Sequence, residues 1–317
     1  MKRNPIQAEW AEAPFSRQVA YSVGILALLS GIAHLAAFPF IENASWSGPA
    51  GLRKTTIFGI STGLTLITMA WLFRYFQTLP KLHSTILYTM SAALFIEIII
   101  IDLQRFRGVP SHFNMSTPFD AALWSTMGFF ILVFAIVATA QAVLAFGKLN
   151  ASPAMASAIR SSLILFFFSQ VSGQLIVSHG LSQVVQNGEF VIENIAASTT
   201  YGEAGNLKLP HAITLHSIQA IPLLGLLIAP LAIPANRQRF WVWTSATGFL
   251  GVSLIAQVQA YLGKSIQNLD TPTSIALVLS LCAFGMPFFY ALIAHLKRIL
   301  SSRSNAKVDE VSQISAR

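Results

Sequence analysis

Phe95-Ile96-Glu97-Ile98-Ile99-Ile100-Ile101 is apolar at every position but one and shows no alternation. A membrane-spanning strand alternates apolar and polar residues over about ten positions. A helix crossing about 30 Å of hydrocarbon instead needs about 20 predominantly apolar residues. The stretch is therefore read as the core of a transmembrane helix over 82–103. Working outward, runs of the same kind occupy 18–40, 55–76, 120–146, 157–182, 211–233, 239–262 and 272–296. Composition agrees: 54% of the 317 residues are apolar, 10% are charged and the mean hydropathy is +0.62. A soluble domain carries about a quarter charged residues. The fold class is all-α, a polytopic transmembrane helical bundle of about eight transmembrane helices.

Local punctuation supports these boundaries. Proline is favoured in the first helical turn, where its missing N–H costs nothing, and Pro49, Pro80, Pro118, Pro153, Pro210 and Pro272 stand at or just before proposed spans. Thr117-Pro118-Phe119-Asp120 reads as a capping box, and Asn236 as a cap for the seventh span. Pro222 predicts a kink in the sixth span just below Gln219. The chain divides into a polar cytoplasmic N-terminal segment (1–17), a single bundle (18–300) and a polar, disordered cytoplasmic tail (301–317). The longest connection, 183–210, carries Glu189, Glu193, Glu203 and Lys208 on the outer side. Fourteen of the 20 Lys and Arg residues fall in segments on the same side as the termini, which places both termini in the cytoplasm. The net charge of +8 is then a topology signal with a lipid bilayer as partner, and no basic, aromatic-interleaved surface suggests nucleic acid. One cysteine, Cys282, excludes an intrachain disulfide and a CxxC site.

The polar groups inside the spans concentrate toward one face. His34 lies in the outer third of helix 1; Glu97 and Asp102 lie in the outer half of helix 3, followed by Gln104 and Arg105; His179 closes helix 5; His211, His216 and Gln219 open helix 6. An ionised side chain at mid-bilayer costs roughly 2.5–3.5 kcal/mol on insertion scales, so such groups face the bundle or water and find partners. Glu97, some 7 Å of helix rise below Asp102, is the most costly group in the chain. Asp102 is expected to pair with Arg105, and Glu97 with Arg53 or Arg105 in an ion pair bracing helices 2 and 3, or to act as a proton-handling acid.

Two further concentrations stand out: Arg105-Phe106-Arg107-Gly108-Val109-Pro110-Ser111-His112-Phe113-Asn114, and the run from His211 to Leu223. On Arg53-Lys54, on Arg107 through Asn114, and on His211-x4-His216-x2-Gln219-x2-Pro222-Leu223, the chain resembles an uncharacterised family of multipass bacterial membrane proteins. The resemblance implies a protein of the bacterial cytoplasmic (inner) membrane and brings no activity with it. Gly59-Ile60-Ser61-Thr62-Gly63 matches the hydrolase elbow pattern, but an elbow needs a strand–turn–helix context. Small residues inside a helical span more simply permit close helix packing.

Two function classes follow, with a structural or accessory subunit as a third. In one, an outward pocket serves a membrane enzyme or redox protein using haem, a divalent metal or a quinone. Its cofactor-binding candidates are His34, His179, His216 and Gln219, converging at matched depth, because neutral imidazole is the commonest metal ligand and bis-His haem needs two helices. Its catalytic candidates are Glu97, Arg53, Arg105 and His112. In the other, the same groups form the vestibule of a transporter or channel for a small molecule, lipid or ion, attracting an anion or relaying protons. The histidines favour the first class, and the polar-poor inner half argues against the second. Reporter fusions test the topology: those at Lys148 and Ala306 should read cytoplasmic and one near Gly202 external, and an external C-terminal reporter would reverse the orientation.

Overall fold

The computed structural model describes residues 5–42, 45–48, 50–187 and 199–315; Pro49, Glu189 and Glu193 lie outside them. The chain forms α1 (Pro5–Glu12), α2 (Phe15–Ala37), α3 (Leu52–Leu72), α4 (Pro80–Phe106), α5 (Pro118–Leu144), α6 (Pro153–Asn187), α7 (Lys208–Leu215), α8 (Ser217–Ile228), α9 (Ala235–Tyr261) and α10 (Thr271–Ser315). A two-residue hairpin, β1 (Thr200–Tyr201) with β2 (Gly205–Asn206), precedes α7. Among the described residues eight stretches are long and apolar enough to cross a membrane, with α7 and α8 together making one of them. The protein is an all-α integral membrane protein.

Side-chain contacts fix how the helices run. Ser30 of α2 bonds Asp102 of α4 while Ser16 accepts from Ser84, so α2 and α4 are parallel. Gly24 meets Gly63 and Gly31 meets Gly59, so α2 and α3 are antiparallel. Ser169 and Ser162 of α6 bond His211 and Ser217 respectively, which sets α7–α8 antiparallel to α6. The starts of α3, α5 and α7 and the ends of α2, α4, α6 and α9 therefore gather at one end of the bundle, termed distal here. Near the opposite, proximal end, Glu9 of α1 bonds Arg74 and the Tyr21 hydroxyl and lies 3.5 Å from Arg17.

Two apolar cores share α6. Leu66, Met69, Phe73, Leu87 and Met90 pack with Ile159, Leu163 and Phe166 on one side of it. Leu165 packs with Ile221, Leu224, Ile228, Val242 and Phe249 on the other. The tightest helix pair, α2 with α3, depends on the discounted Gly-x-Ser-x-Gly. A Cβ on Gly59 would sit 2.6 Å from the Gly31 Cα, and one on Gly31 would sit 2.6 Å from the Ile60 nitrogen. The glycines bring backbone against backbone, where dispersion contacts hold helices together in lipid.

The Thr117 cap forms as expected: its Oγ1 accepts from the Asp120 N–H at 3.1 Å and donates to the Asp120 carboxylate at 2.6 Å. Two local expectations are corrected. Pro234 occupies the position preceding α9, and Asn236 lies in the first turn, accepting only from the neighbouring Arg237 N–H. Helix 6 breaks at His216 (φ −84°, ψ 5°), six residues ahead of Pro222, which stays inside α8. Ser217, next to the break, donates to the Ser162 carbonyl, so side-chain bonding to α6 holds the break above the proline. The last helix, α10, runs through Ser315.

Replacing Gly59 by Leu should lower the Tm of the purified protein by several degrees or abolish folded yield, since overpacking typically costs about 1–3 kcal/mol. Gly128→Ala, at a position with nothing within 4 Å of an added Cβ, should leave the Tm unchanged. Equal tolerance of both would show that the α2–α3 crossing is not a close one.

Candidate functional site

The distal end is built around the turn from α4 to α5. Gly108, at φ 71°, ends α4: its N–H bonds the Arg105 carbonyl while the Val109 N–H reaches the Gln104 carbonyl at 3.1 Å. This paired closure needs a left-handed residue and explains the glycine. Arg107 then turns back to pair with Asp120, whose carboxylate also accepts from Gln104 Nε2 at 2.8 Å, and its guanidinium lies 4.8 Å over the Phe119 ring. Asn114 closes the loop by accepting from Ser116 and donating to the Pro110 carbonyl.

These bonds fold residues 111–114 into the bundle instead of leaving them solvated. Ser111, Phe113 and Asn114 are buried. Phe113 holds φ at 58°, a conformation that non-glycine residues adopt only when their surroundings demand it. Its ring packs 4.8 Å from Trp124 and against Gly180, where any Cβ would strike it. His112 is thereby presented to Phe58 and Trp124, with its Nε2 3.6 Å from Glu97 Oε1.

Glu97 is 3% exposed, and its second oxygen, Oε2, is buried without a hydrogen-bond partner. The expected ion pair with Arg53 or Arg105 is not among those formed by the described residues; His112 takes that place. The reason is reach: Arg53 is exposed at the first turn of α3, while Arg105 lies more than two turns of α4 beyond Glu97. Arg105, with a buried Nε that has no partner, lines a small cleft with Lys54, Ser111, Gly51, Ile101 and Val109. Lys54 lies 5.7 Å from the Phe58 ring centre and acts electrostatically on Glu97 and His112. Lys208 adds its charge from α7. Burial, and then the positive charges of Lys54 and Lys208, hold the His112 imidazole well below its ordinary value, so the ring is neutral near pH 7.

The histidines expected to share one ligand sphere do not. His34 Nδ1 donates to the Ser30 carbonyl at 2.9 Å, with Nε2 4.0 Å from Asp102. His179 Nε2 donates to the Thr200 carbonyl at 3.0 Å, its ring against Tyr201. His216 contacts Ser61 at 3.4 Å and Gln219 at 3.3 Å. His211 turns to the Ser169 carbonyl of α6 at 2.9 Å. Among the described residues no three His, Cys, Asp or Glu side chains gather closely enough to hold a metal ion. Each imidazole has been satisfied by the helix or hairpin beside it, which the depth of the residues alone could not reveal. Asp102 likewise bonds the Ser30 hydroxyl at 2.6 Å and not Arg105. Ser30, His34 and Asp102 sit together, but the hydroxyl donates to the carboxylate and not to a basic imidazole nitrogen, so the wiring is not that of an activated nucleophile.

No known protein family, curated protein or solved structure matches this chain. The site therefore stands on its own geometry: a buried carboxyl and a neutral imidazole 3.6 Å apart, near a cleft that Lys54 and Arg105 line. Lys54 and Lys208 were visible in the sequence but not singled out as site residues, because nothing in the spacing shows that the starts of α3 and α7 face one another.

His112 gives a pH-dependent prediction. In the unfolded chain it binds a proton as the pH falls through the ordinary imidazole value of 6.5, whereas in the fold it does so only well below that. The unfolded state therefore binds more protons in that window, and stability contributed by the neutral ring is lost as the pH falls. The Tm of His112→Gln should decline less than that of the native protein between pH 7 and about 5. Parallel declines would show that His112 is solvated.

Proposed function

We propose that the protein is a proton-coupled carrier for a small carboxylate- or phosphate-type anion, with its site open to the outer face of the bacterial cytoplasmic membrane and both termini cytoplasmic. One observation carries the reading: Glu97 is buried with one oxygen on a neutral imidazole and the other free, directly below a cleft edged by Lys54 and Arg105. Lys54 and Arg105 line the cleft, and Lys208 acts electrostatically on Lys54, which favours an anion there. Glu97 and His112, at 3.6 Å, are placed to hold one proton between them. A monoanion and a proton moving together carry no net charge, which removes the cost of moving a charge through hydrocarbon.

The order of the two sequence-based readings is thus reversed. The enzyme or redox reading relied on His34, His179 and His216 meeting, and each is committed to a different partner. Purified protein in nanodiscs should be stabilised by inorganic phosphate or by one of a series of short carboxylates, with the native Tm shift lost in Lys54→Gln. A Soret band, or a stoichiometric metal together with no stabilisation by any anion, would return the assignment to the redox class.

A further inference from the structure

The seam between α3 and the broken helix α7–α8 carries a chain of polar side chains midway along both spans. Ser61 Oγ lies 3.4 Å from His216 Nε2, His216 Nδ1 lies 3.3 Å from Gln219 Oε1, and Gln219 Nε2 donates to Thr68 Oγ1 at 3.2 Å. With the His216 proton on Nδ1, each of these three contacts joins one donor to one acceptor. Where α2 and α3 meet backbone to backbone, α3 and α8 are bridged by the tips of long side chains, and Ser61, Thr68, His216 and Gln219 all stay partly exposed. Ser61 lies about 14 Å and Thr68 about 24 Å of helix rise from the distal start of α3.

Register links these groups to the site described above. Lys54, Ser61 and Thr68 recur every seven residues, which keeps them on one slowly drifting stripe of α3, and Tyr75 lies in the 3-10 turn that follows. Lys208 opens α7 near Lys54 at the distal end, and the break at His216 follows eight residues later. Irregular backbone at membrane depth persists only where protein buries it or where it lines a water-filled cavity. At the proximal end of the stripe, Glu9 of α1 clasps Arg74, next to Tyr75, together with Arg17.

We infer that this seam is the route by which the anion leaves the distal cleft, with Ser61, His216, Gln219 and Thr68 forming a second binding station. The inference rests on the carrier reading and adds where the solute goes. Neutral hydroxyl, imidazole and amide donors solvate an anion without trapping it as a buried cation would. Thr68, about 24 Å of rise from the distal start of α3, carries the chain past the middle of the span.

The test uses the full chain in proteoliposomes, in a Cys282→Ala background that removes the sole native thiol. Ser61→Cys and Thr68→Cys should react with the membrane-impermeant anion 2-sulfonatoethyl methanethiosulfonate at least tenfold faster than Ile136→Cys on the exposed face of α5. Reaction only with a lipid-soluble maleimide, or no faster than at Ile136, would overturn the route. As a second measurement, Gln219→Leu should cut uptake of the stabilising anion at least tenfold while retaining its Tm shift. Full uptake in that variant would also overturn it. Absence of any anion-induced Tm shift in the native protein sinks the carrier reading instead, a result the labelling pattern does not depend on.

Discussion

Hydrocarbon supplies no hydrogen bonds, so each polar group within the spans must find its partner inside the protein. That constraint organises most of what is seen here. It makes the spans helical, and it gives His34, His179, His211 and His216 separate partners on the backbone or on a facing helix. It also makes the exceptions informative. Of the ten buried side-chain atoms without a hydrogen-bond partner among the described residues, two, Glu97 Oε2 and Arg105 Nε, belong to ionisable groups near the distal cleft. An unsatisfied buried group costs about 1–3 kcal/mol, more when charged, and such groups mark places where a ligand, water or proton completes the structure.

The distal site illustrates how helix geometry and loop chemistry cooperate. The Gly108 turn and the Arg107–Asp120 pair fold the loop back, and the left-handed Phe113 wedges its ring between Trp124 and Gly180. Only then does His112 reach Glu97. The α2–α3 glycine crossing sets backbone against backbone, whereas the α3–α8 seam is joined through side chains.

Particular residues show where sequence reasoning reached and where it stopped. The eight spans, the Thr117 cap and the packing role of Gly59 and Gly63 were legible because each depends on residues close in sequence or on helical period alone. The pairing of Glu97 was misread because an arginine is the obvious partner for a buried acid by type, whereas a folded loop brought an imidazole. The convergence of three histidines failed for a related reason: equal depth specifies one coordinate, and a ligand sphere needs three. Lys54 and Lys208 gained their significance only from the fold, which brings their charges within electrostatic reach of one another.

Hydrophobic period and length, which need no long-range information, were sufficient by themselves for the class of this protein: an all-α membrane bundle with its polar groups gathered toward one end. Tertiary structure alone decided which of those groups meet. Helix rotation, the break at His216 and the inward fold of residues 111–114 are set by packing between elements far apart in the chain, and a side chain's chemistry depends on the neighbour it is turned toward.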